Sequence, residues 1–396
     1  MNPSPAEQPL LDVFLIHHKE DDADTAKVRL DALQPVFAPD PETRRSAYSQ
    51  TLDPWTRVHF ERITDPAMLT ERLRSAAKRA IFIIMVTEKL ADANEWQQPL
   101  TTIAASISQK SVTTQWNALV YATSEEALKK LPPGINVLQA REAAHIHVES
   151  AFRPHILALL ALHRARLVLG ARPAENILKL FISHAKSDGL FLALSLRTLI
   201  EGVPEMKKWY DAADIQSGDE WKESIAKAAG SSIFIAVRTD IYDQREWCCR
   251  EFQAALTAGV PIVVVDALLG TAIRASSLPF SAMPTVRIPD GNIHRVLTAA
   301  LREHLRLLLL ETLVQEKAAA ALPGDNWRVW PRLPALASYD NISAGTDPPL
   351  LWLVADPPQE EREFLELQAR LDHALKLRLE ILSNFLTAQT FAAPTV

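Results

Sequence analysis

Three stretches of this 396-residue chain gather side chains that could do chemistry: FISHAKSD (181–188), KKWYDAADIQSGDEW (207–221) and TDIYDQREWCCREF (239–252). Trp247 and Glu251 lie four apart, so a helix sets an aromatic ring and a carboxylate on one face. Trp209 and Tyr210 are adjacent, so on a strand one points inward and the other outward. Either ring could stack on a base or fill a core, and Glu251 could be a working carboxylate or a solvated helix residue. Other chemistries are excluded. Cys248 and Cys249 are the only cysteines; neighbouring cysteines rarely form a stabilising disulfide, and two alone cannot fill a zinc site. His145 and His147 point the same way on a strand, but no third ligand accompanies them, so no metal is expected. The patterns H-E-x-x-H and G-x-S-x-G are missing.

Glycine is scarce, 11 residues in all and none before Gly134. No two lie two residues apart, and none opens a G-x-x-x-x-G-K-[ST] run. A dinucleotide-binding fingerprint and a P-loop are both absent, so any nucleotide is handled without a glycine-rich cradle. A net charge of -6 gives no electrostatic reason to expect nucleic acid. The N-terminus lacks the order of a signal peptide. The longest apolar runs, around 156–169 and 305–314, are broken by Arg and His and read as amphipathic helices, so no membrane span is expected. With two cysteines and no leader, the expected location is cytoplasmic.

The elements that must position these residues occur twice. VFLIHHKEDD (13–22) repeats as LFISHAKSD (180–188), with Phe14, His17, Lys19 and Asp21 falling on Phe181, His184, Lys186 and Asp188. LRSAAKRAIFIIMVT (73–87) falls on IAKAAGSSIFIAVRT (225–239), and Glu95-Trp96 on Glu246-Trp247. Each copy alternates strands with helical patterns. In the second copy the strands are 179–183, 207–211, 232–237, 260–266 and 284–289, with Gly230 and Gly259 placed as helix C-caps. Runs such as IFIIMV and PIVVVD are apolar throughout, as in strands buried on both faces. The fold class is therefore α/β, with two flavodoxin-like, doubly wound parallel-sheet domains in tandem. The expected organisation is 1–169, 176–312 and a Pro-rich and α-rich extension over 313–396. In that tail a helical pattern carries Phe364, Leu367, Leu371, Leu375, Leu382 and Phe385 on one face.

The second copy resembles a TIR (Toll/interleukin-1 receptor) domain of the bacterial kind over about 177–310. The resemblance rests on the three stretches above, most specifically on Tyr242, a short gap, Trp247-Cys248, two residues, and Glu251. The family often carries Ser three residues after the Tyr, where this chain has Arg245. In enzymatic members the Glu of this motif is required for NAD+ cleavage, which by position is Glu251. The nicotinamide–ribose bond carries a cationic leaving group that departs neutral, so no general acid is needed and one carboxylate suffices to stabilise an oxocarbenium-like ribose. The resemblance makes 211–219 the BB loop, which gates the nucleotide cleft and mediates domain contacts, with Asp211 at its start and Gly218 permitting its turn. Ser183 and His184 are placed on the loop after the first strand, in reach of ribose or phosphate. The substrate-binding set is thus Ser183, His184, Trp209, Tyr210, Asp211, Gly218 and Trp247.

The first copy has Leu100 at the position of Glu251, preceded by Pro99, Pro66 at Gly218 and Ile16 at Ser183, so it is expected to be an inactive TIR-like pseudodomain packed against the second. The resemblance implies a bacterial NAD+ glycohydrolase or cyclase in anti-phage or abortive-infection defence. NAD+ is then substrate rather than cofactor, and activity is controlled by TIR–TIR self-association as a homo-oligomer or with a sensor protein. Two alternatives stand beside it: a non-catalytic TIR interaction module, and the front part of a larger sensor.

Overall fold

The computed structural model describes residues 9–21, 23–37, 57–108, 115–122, 124–132, 154–170, 179–203, 232–269, 278–280, 283–288, 291–318, 327–330, 351–354, 378–382 and 385. These fall into two compact units, one reaching Asn176 and the other starting at Ile177. His145, His147, Gly230 and the BB-loop stretch lie outside the described residues.

In the first unit, β1 (Leu11–Ile16) is apolar at every position but Asp12, and all six residues are buried. Asp12 is satisfied there: it accepts from His59 Nδ1 at 2.9 Å and from the Ala77 amide. The chain continues through α1 (Ala23–Phe37), β2 (Val58–Ile63), α2 (Pro66–Ser75), β3 (Arg79–Val86), α3 (Glu88–Asp92), α4 (Gln97–Ser108), β4 (Gln115–Ala122), α5 (Glu125–Lys129) and α6 (Pro154–Val168). The strands form one parallel sheet in the order β2-β1-β3-β4, the order that begins a flavodoxin-like sheet. Pro66 opens α2 behind the N-cap Asp65, where a missing N–H costs nothing. The expected amphipathic character of 156–169 does not hold. From Leu157 to Val168 only Arg164 and Leu167 escape full burial, because α6 packs on α1, β3 and β4 together. His163 is buried within it, and burial, reinforced by the Arg166 and Arg164 guanidiniums, drives its imidazole down to about 3.

The second unit opens with β5 (Leu180–His184), α7 (Leu190–Gly202), β6 (Ile233–Arg238), α8 (Glu246–Ala258), β7 (Ile262–Asp266), β8 (Thr285–Arg287) and α9 (His294–Ala318). Its parallel sheet runs β5-β6-β7-β8. One sheet face, Phe181, Phe234, Ala236, Ile262 and Val264, packs with Phe252 and Ala255 of α8. The other face lies under α7 and α9.

The repeat is visible in contacts. Phe14 pairs with Phe82 across β1 and β3, with rings stacked at 5.5 Å; Phe181 pairs with Phe234 across β5 and β6, again stacked at 5.5 Å. Thr87 Oγ1 donates to Asp21 at 2.7 Å, and Thr239 Oγ1 donates to Asp188 at 2.8 Å. These are the partners that the sequence offsets demand.

The tail departs from expectation. Its described residues include β9 (Trp327–Trp330), β10 (Leu351–Val354) and β11 (Arg378–Ile381), which pair in parallel in the order β11-β10-β9. Residues 378–381, expected to be helical, are strand, because their backbone pairs with buried β10. The remainder of the expected helix, with Phe364, Leu367, Leu371 and Leu375, lies outside the described residues. β9 docks on the end of α8: Arg328 donates to the Ala258 carbonyl, and Trp330 lies over Gly259. Gly259 caps α8 in the left-handed region at φ 65°, as its position predicted.

Two outcomes follow from this packing. A Cβ at residue 259 meets the Trp330 ring at 2.6 Å and sits at positive φ. Gly259→Ala therefore lowers unfolding free energy by about 2 kcal/mol or more, read as a lower denaturant midpoint. The folded value of His163 lies below its unfolded one, so the unfolded chain binds the proton first. Its contribution to stability is full above about pH 6.5 and is lost as pH falls toward 3, at up to about 1.4 kcal/mol per pH unit. Urea titrations of His163→Leu between pH 6.5 and 4 show a correspondingly shallower slope.

Candidate functional site

The site forms where β5 ends against α8. Ser183 and His184 are the last two residues of β5 itself rather than of the following loop. The strand register places Ser183 beside Ala236 on the sheet face that carries α8. α8 begins after a short 3-10 turn, Tyr242–Gln244, which delivers the Tyr242 ring to the same face. Glu251 comes five residues into α8 and is only 6% exposed, so it is not a solvated helix carboxylate.

A buried carboxylate must be hydrogen-bonded, and here Ser183 Oγ donates to Glu251 Oε2 at 2.6 Å. A serine hydroxyl has one proton, so the 2.7 Å contact between Ser183 and Tyr242 is made by the Tyr242 hydroxyl donating to Ser183 Oγ. The result is a relay, Tyr242 to Ser183 to Glu251, aimed at the carboxylate. Burial, helped by nearby Cys248 and Glu251, holds the Tyr242 phenol well above its usual value against the opposing effect of the Ser183 hydrogen bond. It remains a proton donor. Cys248 borders the relay, and burial followed by the Glu251 charge pushes its thiol up to about 12. It is no nucleophile at neutral pH.

The neighbouring residues divide into those turned to solvent and those holding the loop. Trp247, one turn before Glu251, is 38% exposed and carries the Arg250 guanidinium 5.0 Å from its ring centre. Arg250 in turn pairs with Glu246. His184 is half-buried at the strand end, its Nδ1 3.4 Å from the Ile182 carbonyl. Trp209, Tyr210, Asp211 and Gly218 lie outside the described residues. Among the described residues no group of three or more His, Cys, Asp or Glu is arranged to hold a metal, and no helix is long and apolar enough to cross a membrane. Tyr242 is the relay member missing from the expected set. The signal for it was its place at the head of the Tyr–Trp–Cys–Glu motif.

The first unit provides an internal control. By the offsets its Phe and Thr–Asp pairs obey, Ser183 and Tyr242 correspond to Ile16 and Leu90, and by the offset of Glu95-Trp96 on Glu246-Trp247, Glu251 corresponds to Leu100. All three are fully buried and belong to one apolar cluster. A hydrogen-bonded trio in one unit is replaced by an apolar trio in the other. The Thr–Asp bond is retained in both, as befits a structural element.

Residues 180–278 match a family model described as the TIR domain. The matched span runs from β5 through α7, β6, α8 and β7, and contains Ser183, Tyr242 and Glu251. No curated protein matches the chain closely enough to count as a relative. The chain therefore carries a TIR domain over these residues, and that domain opens its second unit at β5.

Proposed function

We propose that the TIR domain cleaves the nicotinamide–ribose bond of NAD+, with Glu251 as the carboxylate that stabilises the ribose as it turns oxocarbenium-like. The observation that carries this reading is the burial of Glu251 with one oxygen held by Ser183 at 2.6 Å. A carboxylate oriented before substrate arrives needs no reorganisation during reaction, which is where electrostatic stabilisation is worth most. Nicotinamide leaves neutral, so the site does not require a second acid. His184 and Trp247, with Trp209, Tyr210, Asp211 and Gly218, are proposed to contact substrate. The first unit, with an apolar trio at the equivalent place, is proposed to be a degenerate, inactive copy. Self-association through TIR–TIR contacts would control the activity, in a bacterial defence response that depletes NAD+.

One observation favours a second reading, a non-catalytic module that binds another TIR domain. Leu190, Phe191 and Leu194 on α7 are 45%, 85% and 46% exposed, an apolar face of the domain.

Chromatography of NAD+ incubated with concentrated full-length protein separates the two. Nicotinamide release that falls by about 100-fold or more in Glu251→Gln supports catalysis. Tyr242→Phe, which leaves the carboxylate and Ser183 in place, loses less, about 10-fold. Absence of turnover in assembled wild-type protein rejects the catalytic reading in favour of the module.

A further inference from the structure

A second group stands on the relay's side of the sheet. Arg238 ends β6, two residues beyond Ala236, the partner of Ser183, so its side chain leaves the same sheet face. Its guanidinium carbon lies 4.7 Å from the centre of the Phe280 ring. Phe280 is itself buried edge-on against Tyr242 at 5.9 Å and Phe252 at 5.0 Å. An unbroken set of contacts therefore joins Glu251, Ser183, Tyr242, Phe280 and Arg238. The nearest acid in the ladder, Asp266, pairs with Arg287 at 3.0 Å, and among the described residues no carboxylate pairs with Arg238. A half-buried guanidinium braced on an aromatic ring, with no acidic partner among the described residues, is a preorganised donor fork.

Two further facts bear on its purpose. β5 and β6 correspond to β1 and β3, the pair at which strand order reverses in a flavodoxin-like sheet, and ligands of open parallel sheets bind outside the carboxyl ends of such strands. Ser183 and Arg238 lie at the carboxyl ends of those two strands. In addition, the offset that puts Thr87 on Thr239 puts Val86 on Arg238. Val86 is fully buried in the same apolar cluster as Ile16, Leu90 and Leu100. Arg238 thus varies between the units together with the relay, while the structural Thr–Asp pair does not.

We propose that Arg238 is a substrate-binding residue that receives the diphosphate of a dinucleotide at the carboxyl end of β6, doing by one braced guanidinium what a glycine-rich loop does elsewhere. This rests on the proposed NAD+ reading for the reaction, but it specifies the diphosphate as the recognised group and is testable without turnover. The test is calorimetric binding of ADP-ribose and of adenosine to full-length wild type, Arg238→Met and Arg238→Lys, each first shown to keep the wild-type melting temperature within a few degrees. Arg238→Met keeps the stem on Phe280 and removes the charge. It weakens ADP-ribose binding by about 10-fold or more, Arg238→Lys falls between, and adenosine binding is the same in all three. Kinetically, Arg238→Met raises KM for NAD+ with kcat within about twofold, and leaves KM for nicotinamide riboside, which has no diphosphate, unchanged. Equal ADP-ribose affinity in wild type and Arg238→Met, an equal loss for adenosine, or no ADP-ribose binding by wild type overturns the inference. ADP-ribose binding that depends on Arg238 in a protein without turnover upholds it and rejects the NADase reading alone.

Discussion

A carboxylate inside an apolar layer is the constraint around which the second unit is arranged. Glu251 points from α8 into the space between helix and sheet, where an unsatisfied carboxylate would cost several kcal/mol. Ser183 must therefore sit near the end of β5 on the α8 face, and Tyr242 must be turned in by the 3-10 segment so that its proton completes the Ser183 valence. The stacked Phe181–Phe234 pair and the Phe252 and Phe280 rings surround this chain of hydrogen bonds with apolar contacts. They keep water from competing for it.

The first unit solves the same packing problem without the polar network. Ile16, Leu90 and Leu100 fill the equivalent volume, and apolar side chains need no partners. A buried polar trio is seldom retained for stability alone, since well-packed apolar residues do as well or better. The polar version in the TIR domain agrees with the chemistry proposed for it. By contrast, Thr87–Asp21 and Thr239–Asp188 tie the loop after the first strand to the end of β3 in one unit and of β6 in the other, a need shared by both folds.

The tail is bound to the same helix from the other end. Arg328 and Trp330 of β9 close on Ala258 and Gly259, and Trp330 packs against Trp352 in the third sheet with ring centres 4.7 Å apart. α8 is therefore held at its N-terminal half by the relay and at its C-terminal end by the tail sheet. This limits how far Glu251 can shift relative to Ser183.

Much of this was legible in the sequence for a simple reason. Parallel strands buried on both faces leave continuous apolar runs, and duplicated ones leave matched offsets, so the α/β class, the two copies and the Gly259 cap could be read from residue types alone. The Glu251 motif was legible too, but its burial was not, since a glutamate four residues from a tryptophan looks the same on a wet or a dry helix face. The tail was misread at 378–381 because amphipathic spacing is a local signal, whereas strand formation there depends on a remote partner, β10. Residue types and spacing determined which carboxylate, which sheet and which repeat this protein has. Only the tertiary structure decided that Tyr242 joins Ser183 and that Arg238 rests on Phe280, because both contacts are made between residues far apart in the chain that meet only when turns and loops pack on the strand ends.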